Sequence, residues 1–191
     1  MGLDMYAFQV IKPSLDPEKV YIRRKLLGEY VVLPPDKAAS DRYLQVAPYA
    51  QKLRVISRYF NMEKIRQDFH MPDAEIGTVS SEGIRIVGKV DGVATKREIS
   101  MKQIEALYTV EREEDCLVFT KEQVAYWRNE QDLQVLISES LDADIQNTGF
   151  YLLDEKTVDI INQYNSEHDS TMFIRWREPT ATSALFYYEW Y

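Results

Sequence analysis

The stretch MGLDMYAFQV, residues 1–10, determines how the rest of the chain can be arranged. Its side chains alternate between two sides, with Leu3, Met5 and Ala7 on one side and Asp4, Tyr6 and Phe8 on the other. A period of two without a helix-capping residue is typical of a β-strand. We therefore predict a strand over residues 2–11 that is apolar on both faces except at Asp4.

The stretch ALFYYEWY, residues 184–191, alternates in the same way. Strands with two apolar faces usually lie inside a sheet that is covered on each side, and the ends of a domain are often close in space. We therefore predict that the two terminal strands are neighbours. The predicted fold class is α+β, with a mixed or antiparallel sheet that includes both terminal strands and is covered by helices.

Two segments in the middle of the chain have a clear periodicity. The run IRIVGKVDGVATKREI, residues 84–99, alternates on both sides of Asp91-Gly92, a dipeptide typical of tight turns, and predicts a β-hairpin. Apolar residues at spacings of three and four from Tyr49 to Phe60, continued past Asn61 by Ile65 and Phe69, predict a helical stretch. We predict a single domain over residues 1–191, with a helical insertion over residues 34–83.

Two pairs of residues match the capping box, in which side chains at a helix start satisfy backbone N–H groups reciprocally. These pairs are Ser100 with Gln103 and Thr120 with Gln123. They predict helices that begin near residues 101 and 121, the second running to about residue 141 and carrying Trp127. Asp154 is a suitable cap for a further helix, and TMFIRWREP, residues 171–179, predicts a strand.

The formal charge of −8 is unevenly distributed along the chain. Residues 1–70 hold 12 Lys and Arg against 8 Asp and Glu, whereas residues 71–191 hold 11 against 23. An acidic field repels nucleic acid and favours basic partners, so direct nucleic-acid binding is not expected. No run approaches the roughly 20 apolar residues of a membrane span, and we predict a cytoplasmic protein without membrane association.

The motifs of the common enzyme classes are absent from the sequence. It contains no G-x-G-x-x-G, phosphate-binding loop, G-x-S-x-G or H-E-x-x-H. His70, His168 and the single Cys116 are too few for a His- or Cys-rich metal centre, and the calcium-like start at Asp142 and Asp144 lacks a closing Glu. We therefore predict no metal and no cofactor, and we identify no catalytic residue.

Tyrosine is the most frequent aromatic residue, with 13 Tyr against 7 Phe and 3 Trp. Tyr combines a large apolar face with a polar tip, and Arg stacks on aromatic rings and binds carboxylates, so these residues form either the outer core of the sheet or a binding surface. Asp4 among apolar residues needs an Arg, a Tyr hydroxyl or water, and Arg128 and Arg175 are candidate partners. The candidate binding residues are Asp4, Tyr6, Tyr126, Trp127, Arg128, Arg175, Trp176 and Tyr188.

Three separated pieces of the chain resemble a family of small uncharacterised proteins encoded by phages, prophages and bacteria. The pieces are the opening Met-Gly-Leu-Asp-Met-Tyr, the motif Tyr126-Trp127-Arg128 with the later NTGFYLLDEKTVDII, and the aromatic end FYYEWY. The resemblance implies a phage or prophage setting, and it implies no particular activity.

The function we predict first is non-enzymatic: a phage- or prophage-type accessory protein that acts by binding a host or phage protein. One alternative is a small enzyme or ligand-binding domain with an Asp/Arg/aromatic pocket, in which Asp4 is an acid or base and Arg128 or Arg175 holds an anion. The other alternative is an acidic nucleic-acid mimic, whose carboxylates occupy phosphate positions in the basic groove of a partner. The oligomeric state is left open.

Overall fold

The computed structural model describes residues 2–191, within which it has ten β-strands and six α-helices. The strands are β1 (Asp4–Ile11), β2 (Val20–Ile22), β3 (Val31–Leu33), β4 (Gln51–Phe60), β5 (Glu75–Val79), β6 (Gly83–Val90), β7 (Val93–Ser100), β8 (Thr109–Arg128), β9 (Phe150–Leu152) and β10 (Ser183–Trp190). The helices are α1 (Arg23–Leu26), α2 (Pro35–Ala38), α3 (Met62–Asp68), α4 (Met101–Leu107), α5 (Gln131–Leu141) and α6 (Glu155–Glu167). Two short 3-10 turns cover Asp41–Tyr43 and Ala47–Tyr49.

The larger sheet has the strand order β2-β4-β8-β1-β10-β9, with β3 also paired to β8. β1 is antiparallel to both neighbours, and Asp4 lies opposite Trp190 on β10 and opposite Arg128 on β8. The predicted pairing of the terminal strands and the predicted α+β class are confirmed. A β-bulge at Val124 interrupts the β1–β8 register, because Ala7 pairs with Ala125 and Phe8 with Gln123.

Both faces of β1 are buried over most of its length, which explains why its sequence is apolar on two sides. Met5 and Ala7 belong to a core formed with α5 and α6, whereas Phe8 and Val10 face a second core that the segment from Val31 to Ala50 covers. At about 25 cal/mol per Å² of apolar surface removed from water, such double burial favours a central position in the sheet.

Contacts divide the chain into two compact units, one formed by the residues up to Val55 with Glu114–Tyr191, and the other by Ile56–Glu113. The division falls inside the segment 34–83, which holds strands β4 and β5 as well as short helices. The division into units does not test whether the chain folds as one domain, so the single domain over residues 1–191 stays a prediction.

The second unit contains the three-stranded sheet β5-β6-β7 with α3 and α4. Its hairpin β6–β7 is confirmed, and Asp91 and Gly92 have the positive φ values of 49° and 79° that a two-residue turn of this kind needs. The capping box at α4 is also confirmed: the backbone N–H of Gln103 donates to Ser100 Oγ at 3.3 Å, and the backbone N–H of Ser100 donates to Gln103 Oε1 at 3.1 Å.

The helix predicted from Tyr49 is wrong as far as Phe60, because that stretch forms strand β4. Its continuation past Asn61 is confirmed, because α3 covers Met62–Asp68. Leu53, Val55 and Ser57 alternate as fully buried residues, with exposures of 1%, 0% and 0%. Because Ser57 is polar, the hydrophobic pattern of the sequence does not show the period of two. The apolar residues that remain happen to be spaced by three and four, as in a helix.

The helix predicted over residues 121–141 is wrong in its first part, because β8 continues to Arg128, and confirmed in its second part, where α5 covers Gln131–Leu141. Thr120 does not cap a helix; its hydroxyl donates to the Ile11 carbonyl at 3.2 Å across the sheet. Asn129, with φ of 60°, separates the strand from the helix.

The last two predicted elements have different outcomes. Asp154 caps α6 as predicted, accepting a hydrogen bond from the Thr157 N–H at 2.7 Å. The strand predicted over residues 171–179 is wrong, because this segment has no regular secondary structure. Its Ile174 backbone pairs with a side chain and not with a strand: the Ile174 N–H donates to Asn162 Oδ1, and Asn162 Nδ2 donates to the Ile174 carbonyl, both at 2.8 Å. Each helix of residues 2–191 is too short or too polar to cross a membrane.

Candidate functional site

One face of the sheet, opposite α5 and α6, carries closely spaced aromatic side chains on β1, β8 and β10. We call it the aromatic face, and its residues are Asp4, Tyr6, Phe8, Lys121, Gln123, Tyr126, Arg128, Tyr188 and Trp190. The strand register arranges them in rows, with Tyr6 between Tyr126 and Tyr188. Because side chains alternate along a strand, these residues come from every second position of β1 and β10, and of β8 on either side of the bulge at Val124.

The rings of the aromatic face contact one another across the strands. The Tyr6 ring centroid lies 5.4 Å from that of Phe8, 5.0 Å from that of Tyr126 and 6.1 Å from that of Tyr188. Tyr188 also contacts Phe150 of β9, with 5.0 Å between centroids. Pairs at such distances contribute about 0.5–1.5 kcal/mol each beyond the burial of their area, so the face is a rigid platform.

Lys121 is an exposed lysine whose ammonium group lies above these rings. Its Nζ is 4.4 Å from the Phe8 centroid and 5.4 Å from the Tyr188 centroid, within the range of cation–π attraction. Partial burial of the side chain against the rings lowers the pKa of Lys121 from its ordinary value. Among residues 2–191 it forms no ion pair.

A depression of about 360 Å³ opens beside Lys121. Its lining residues are Tyr6, Phe8, Lys121, Gln123, Tyr188 and Trp190. Trp190 is 55% exposed, which is unusual for so large an apolar side chain. The depression therefore combines an aromatic floor, one ammonium group and one amide, a composition typical of sites that bind an apolar group and fix it by a few polar contacts.

Asp4 lies at the other end of the aromatic face and has the partners that its position demands. The Tyr126 hydroxyl donates to Asp4 Oδ1 at 2.6 Å, and Arg128 Nε lies 3.8 Å from the same oxygen. The hydrogen bond to Asp4 raises the pKa of Tyr126. Arg128, on the neighbouring strand, is thus the arginine that contacts Asp4.

A backbone clamp next to Asp4 fixes the start of β1. Asn129 Oδ1 accepts a hydrogen bond from the Leu3 N–H at 3.0 Å, and the Asn129 N–H donates to the Leu3 carbonyl at 2.8 Å. A Cβ atom added to Gly2 would lie 2.7 Å from Asn129 Oδ1, so a larger residue there would push the Asn129 side chain away from this hydrogen bond. The clamp holds Asp4 beside Arg128.

Three of the predicted site residues lie away from the aromatic face. Trp127 points to the opposite side of β8, where it is 5% exposed and donates from Nε1 to Asn165 Oδ1 at 2.8 Å. Arg175 is exposed and Trp176 is partly buried in the irregular segment before β10. The structure brings together the other five, which are Asp4, Tyr6, Tyr126, Arg128 and Tyr188.

Four residues of the aromatic face were not predicted as site residues: Phe8, Trp190, Lys121 and Gln123. The last two lie in the stretch that was predicted to be helical. A helix predicted from residue 121 would have pointed them in different directions. The signal that could have placed them is the alternation of Lys121, Gln123 and Tyr126 around a one-residue bulge, with Ala125 and Trp127 on the other side. A bulge shifts the alternation by one residue, and a strict search for a period of two misses it.

Glu189 is a further residue that the sequence did not single out, and it lies on the side of β10 that α5 and α6 cover. It is fully buried, and its Oε2 accepts hydrogen bonds from Gln134 Nε2 at 2.8 Å and from the Tyr187 hydroxyl at 3.1 Å. Within residues 2–191 its Oε1 has no partner. Burial raises the pKa of Glu189 above its ordinary value of 4.5, although both hydrogen bonds oppose this effect.

The substitution Glu189→Gln is expected to stabilise the protein at pH 8 by about 1 kcal/mol, because it removes the desolvation of a buried carboxylate. With a folded-state pKa above the unfolded one, the wild type loses stability as the pH rises from about 4.5 through the raised pKa. The gain of the variant should therefore be smaller at pH 4. Urea unfolding at both pH values measures it.

The exposed Glu122 provides the control for this prediction. The substitution Glu122→Gln should change stability by less than about 0.5 kcal/mol at either pH, as is usual for surface residues. A loss of stability in Glu189→Gln at pH 8 would show that the carboxylate is better solvated or better paired than its surroundings indicate.

Neither a metal site within residues 2–191 nor a relative among known proteins adds to the candidate site. Across residues 2–191, no group of three or more His, Cys, Asp or Glu side chains is placed to hold a metal ion. Compared with known proteins, the chain matches no family model, no curated sequence and no solved structure.

Proposed function

We propose that the protein is a non-enzymatic binding protein that engages another protein through the aromatic face. The observation that carries the proposal is the set of contacting rings on three adjacent strands, beside an exposed ammonium group that has no ion-pair partner within residues 2–191. In the phage or prophage setting that the resemblance implies, the partner is a protein of the host or of the phage.

The composition of the aromatic face supports this proposal. Tyr, Trp and Arg are enriched among the residues that contribute most to protein interfaces, and Trp190 and Arg128 are exposed there. Tyr and Trp side chains have few rotatable bonds, so ordering them on binding costs little entropy. The ring contacts of Tyr6 hold the platform in place before a partner arrives.

The substitution Trp190→Ser tests the proposal. A partner captured by the wild-type chain from a bacterial lysate, then purified and titrated by calorimetry, is expected to bind the variant at least about 10-fold more weakly, as for a central aromatic contact. The matched control is Phe173→Ser, since Phe173 is 75% exposed and lies outside the aromatic face.

Two outcomes would contradict the proposal. One is equal affinity of the purified partner for Trp190→Ser and for the wild type. The other is loss of binding in Phe173→Ser with Trp190→Ser unaffected, which would place the interface on another surface.

The ligand-binding alternative is favoured by one observation, the contact of Asp4 with Arg128 on the same face of the sheet as the depression. Such a pair can orient a small polar ligand whose apolar part lies on the rings. The Asp4 side chain is 20% exposed and already accepts the Tyr126 hydrogen bond, which leaves it little freedom to act as a base. We therefore rank this alternative second.

The nucleic-acid mimic requires carboxylates that are free to replace phosphates. In the acidic run of β8, Glu111 forms an ion pair with Arg58, with 3.4 Å between the atoms, and Asp115 forms one with Lys52 at 3.2 Å. These pairs neutralise part of the negative charge, so the mimic is the weakest of the three proposals.

A further inference from the structure

We propose that Lys121 is the anion-recognition residue of the aromatic face, and that the partner places there a carboxylate side chain flanked by an apolar one. This inference rests on the proposed function and specifies the chemistry of the partner. The carboxylate binds the Lys121 ammonium, and the apolar neighbour enters the depression between Tyr6, Tyr188 and Trp190.

Lys121 has no hydrogen-bond acceptor among residues 2–191. An ammonium group has three N–H donors, and the rings of Phe8 and Tyr188 attract its charge but accept no conventional hydrogen bond. Within residues 2–191, Lys121 forms neither an ion pair nor a side-chain hydrogen bond. Its donors are therefore free for a ligand.

The rings of Phe8 and Tyr188 strengthen an ion pair formed at Lys121. Charged groups attract each other more strongly beside a low-dielectric surface than in water, and the rings provide such a surface. They also disfavour the charged form of Lys121, and a carboxylate would reverse this effect. Binding of an anion should therefore raise the pKa of Lys121.

The anion that matches Lys121 is a carboxylate. Lys121 is a single monovalent cation, which matches one carboxylate, whereas phosphate sites usually combine Arg side chains or several backbone N–H groups. The formal charge of −8 opposes the approach of a polyanion such as nucleic acid. Asp4, at the far end of the face, adds a further negative charge.

The depression beside Lys121 favours an apolar side chain next to the carboxylate. The floor beside Lys121 consists of aromatic rings, and Trp190 extends from its rim with 55% of its surface exposed. Covering this surface removes apolar area from water at about 25 cal/mol per Å². A partner segment with an acidic side chain next to Leu or Phe fits both features.

The experiment uses 3-phenylpropanoate as the probe and 3-phenylpropanamide as its neutral counterpart. Each is titrated into the isotopically labelled full chain and followed by NMR at the Trp190 indole N–H and the Lys121 side chain. We expect the acid to bind with a millimolar Kd and at least about 10-fold more tightly than the amide, and to raise the pKa of Lys121.

Variants separate the charge from the fold. Lys121→Met keeps the apolar stem and should remove the preference for the acid, whereas Lys121→Arg should retain it. The control Lys156→Met changes an exposed lysine on α6 and should leave both affinities as in the wild type. Circular dichroism melting of each variant establishes that the fold is retained.

Several outcomes would overturn the inference. They are equal affinity for acid and amide, no binding of either probe, an acid preference that survives in Lys121→Met, and tighter binding of phenyl phosphate than of the carboxylate. Each concerns only the binding of the small probes at Lys121 and the depression. The proposed function would fail separately, in the comparison of Trp190→Ser with Phe173→Ser.

Discussion

Replacing Trp127 by Ala is expected to lower the free energy of unfolding by about 3–5 kcal/mol, the usual cost of truncating a large buried aromatic residue. Trp127 is 5% exposed in the core between the sheet and helices α5 and α6. The truncation would also leave Asn165 Oδ1 without its donor in a buried site. Urea unfolding followed by circular dichroism measures the loss.

Trp190 provides the matched control, because it is also a strand tryptophan but is 55% exposed. The substitution Trp190→Ala should lower stability by less than about 1 kcal/mol, in the range of surface substitutions. Equal losses in the two variants would contradict the assignment of Trp127 to the side covered by α5 and α6 and of Trp190 to an exposed position on the aromatic face.

Replacing Gly83 by Ala is expected to destabilise the second unit by about 1–3 kcal/mol, the typical cost of overpacking. A Cβ atom at this position would lie 2.1 Å from the backbone carbonyl oxygen of Ile99. That oxygen is part of the β6–β7 ladder, so β6 and β7 would have to separate locally to make room. Faster hydrogen exchange of the amides in β6 and β7 would report the separation.

The control for Gly83 is Ala94→Ser, a single-atom addition at an exposed position in the same hairpin. It should change stability by less than about 0.5 kcal/mol. If Gly83→Ala exchanged as slowly as Ala94→Ser, the close approach of Gly83 to Ile99 would be disproved.

The parts of the fold that the sequence predicted correctly depend on local signals that agree with the tertiary structure. β1 and β10 are apolar on both faces because both faces are covered, so their pattern and their position have one cause. Asp91-Gly92 specifies its turn through two positive φ values, and Ser100 caps α4 through its own side chain. These elements require no knowledge of distant residues.

The wrong elements have local patterns that distant contacts override. Thr120 and Gln123 match a capping box, but pairing with β1 gives the backbone of β8 its hydrogen bonds from across the sheet. Trp127 shares a side with Ala125 in a strand, whereas a helix would have placed it with Val124. No local rule distinguishes these two arrangements, because the partner strand lies more than a hundred residues away.

The candidate site was accessible to prediction only where it follows a single strand. Asp4 and Tyr6 share a face of β1 by simple alternation, and Tyr188 shares a face of β10 with Trp190. Which of two arginines meets Asp4 depends on pairing between strands, and the choice of Arg128 over Arg175 came from the structure. Lys121 was missed because a bulge separates it from the pattern of Tyr126.

The position of β1 has a consequence for the nascent chain on the ribosome. Asp4 meets Tyr126 across 122 positions of sequence, so β1 emerges long before either of its partner strands has been translated. Its apolar stretch MYAFQVI must stay unpaired during that interval, the condition in which strands aggregate or recruit chaperones. Closure of the sheet around β1 is therefore a late event, and the non-local pairing makes it slow.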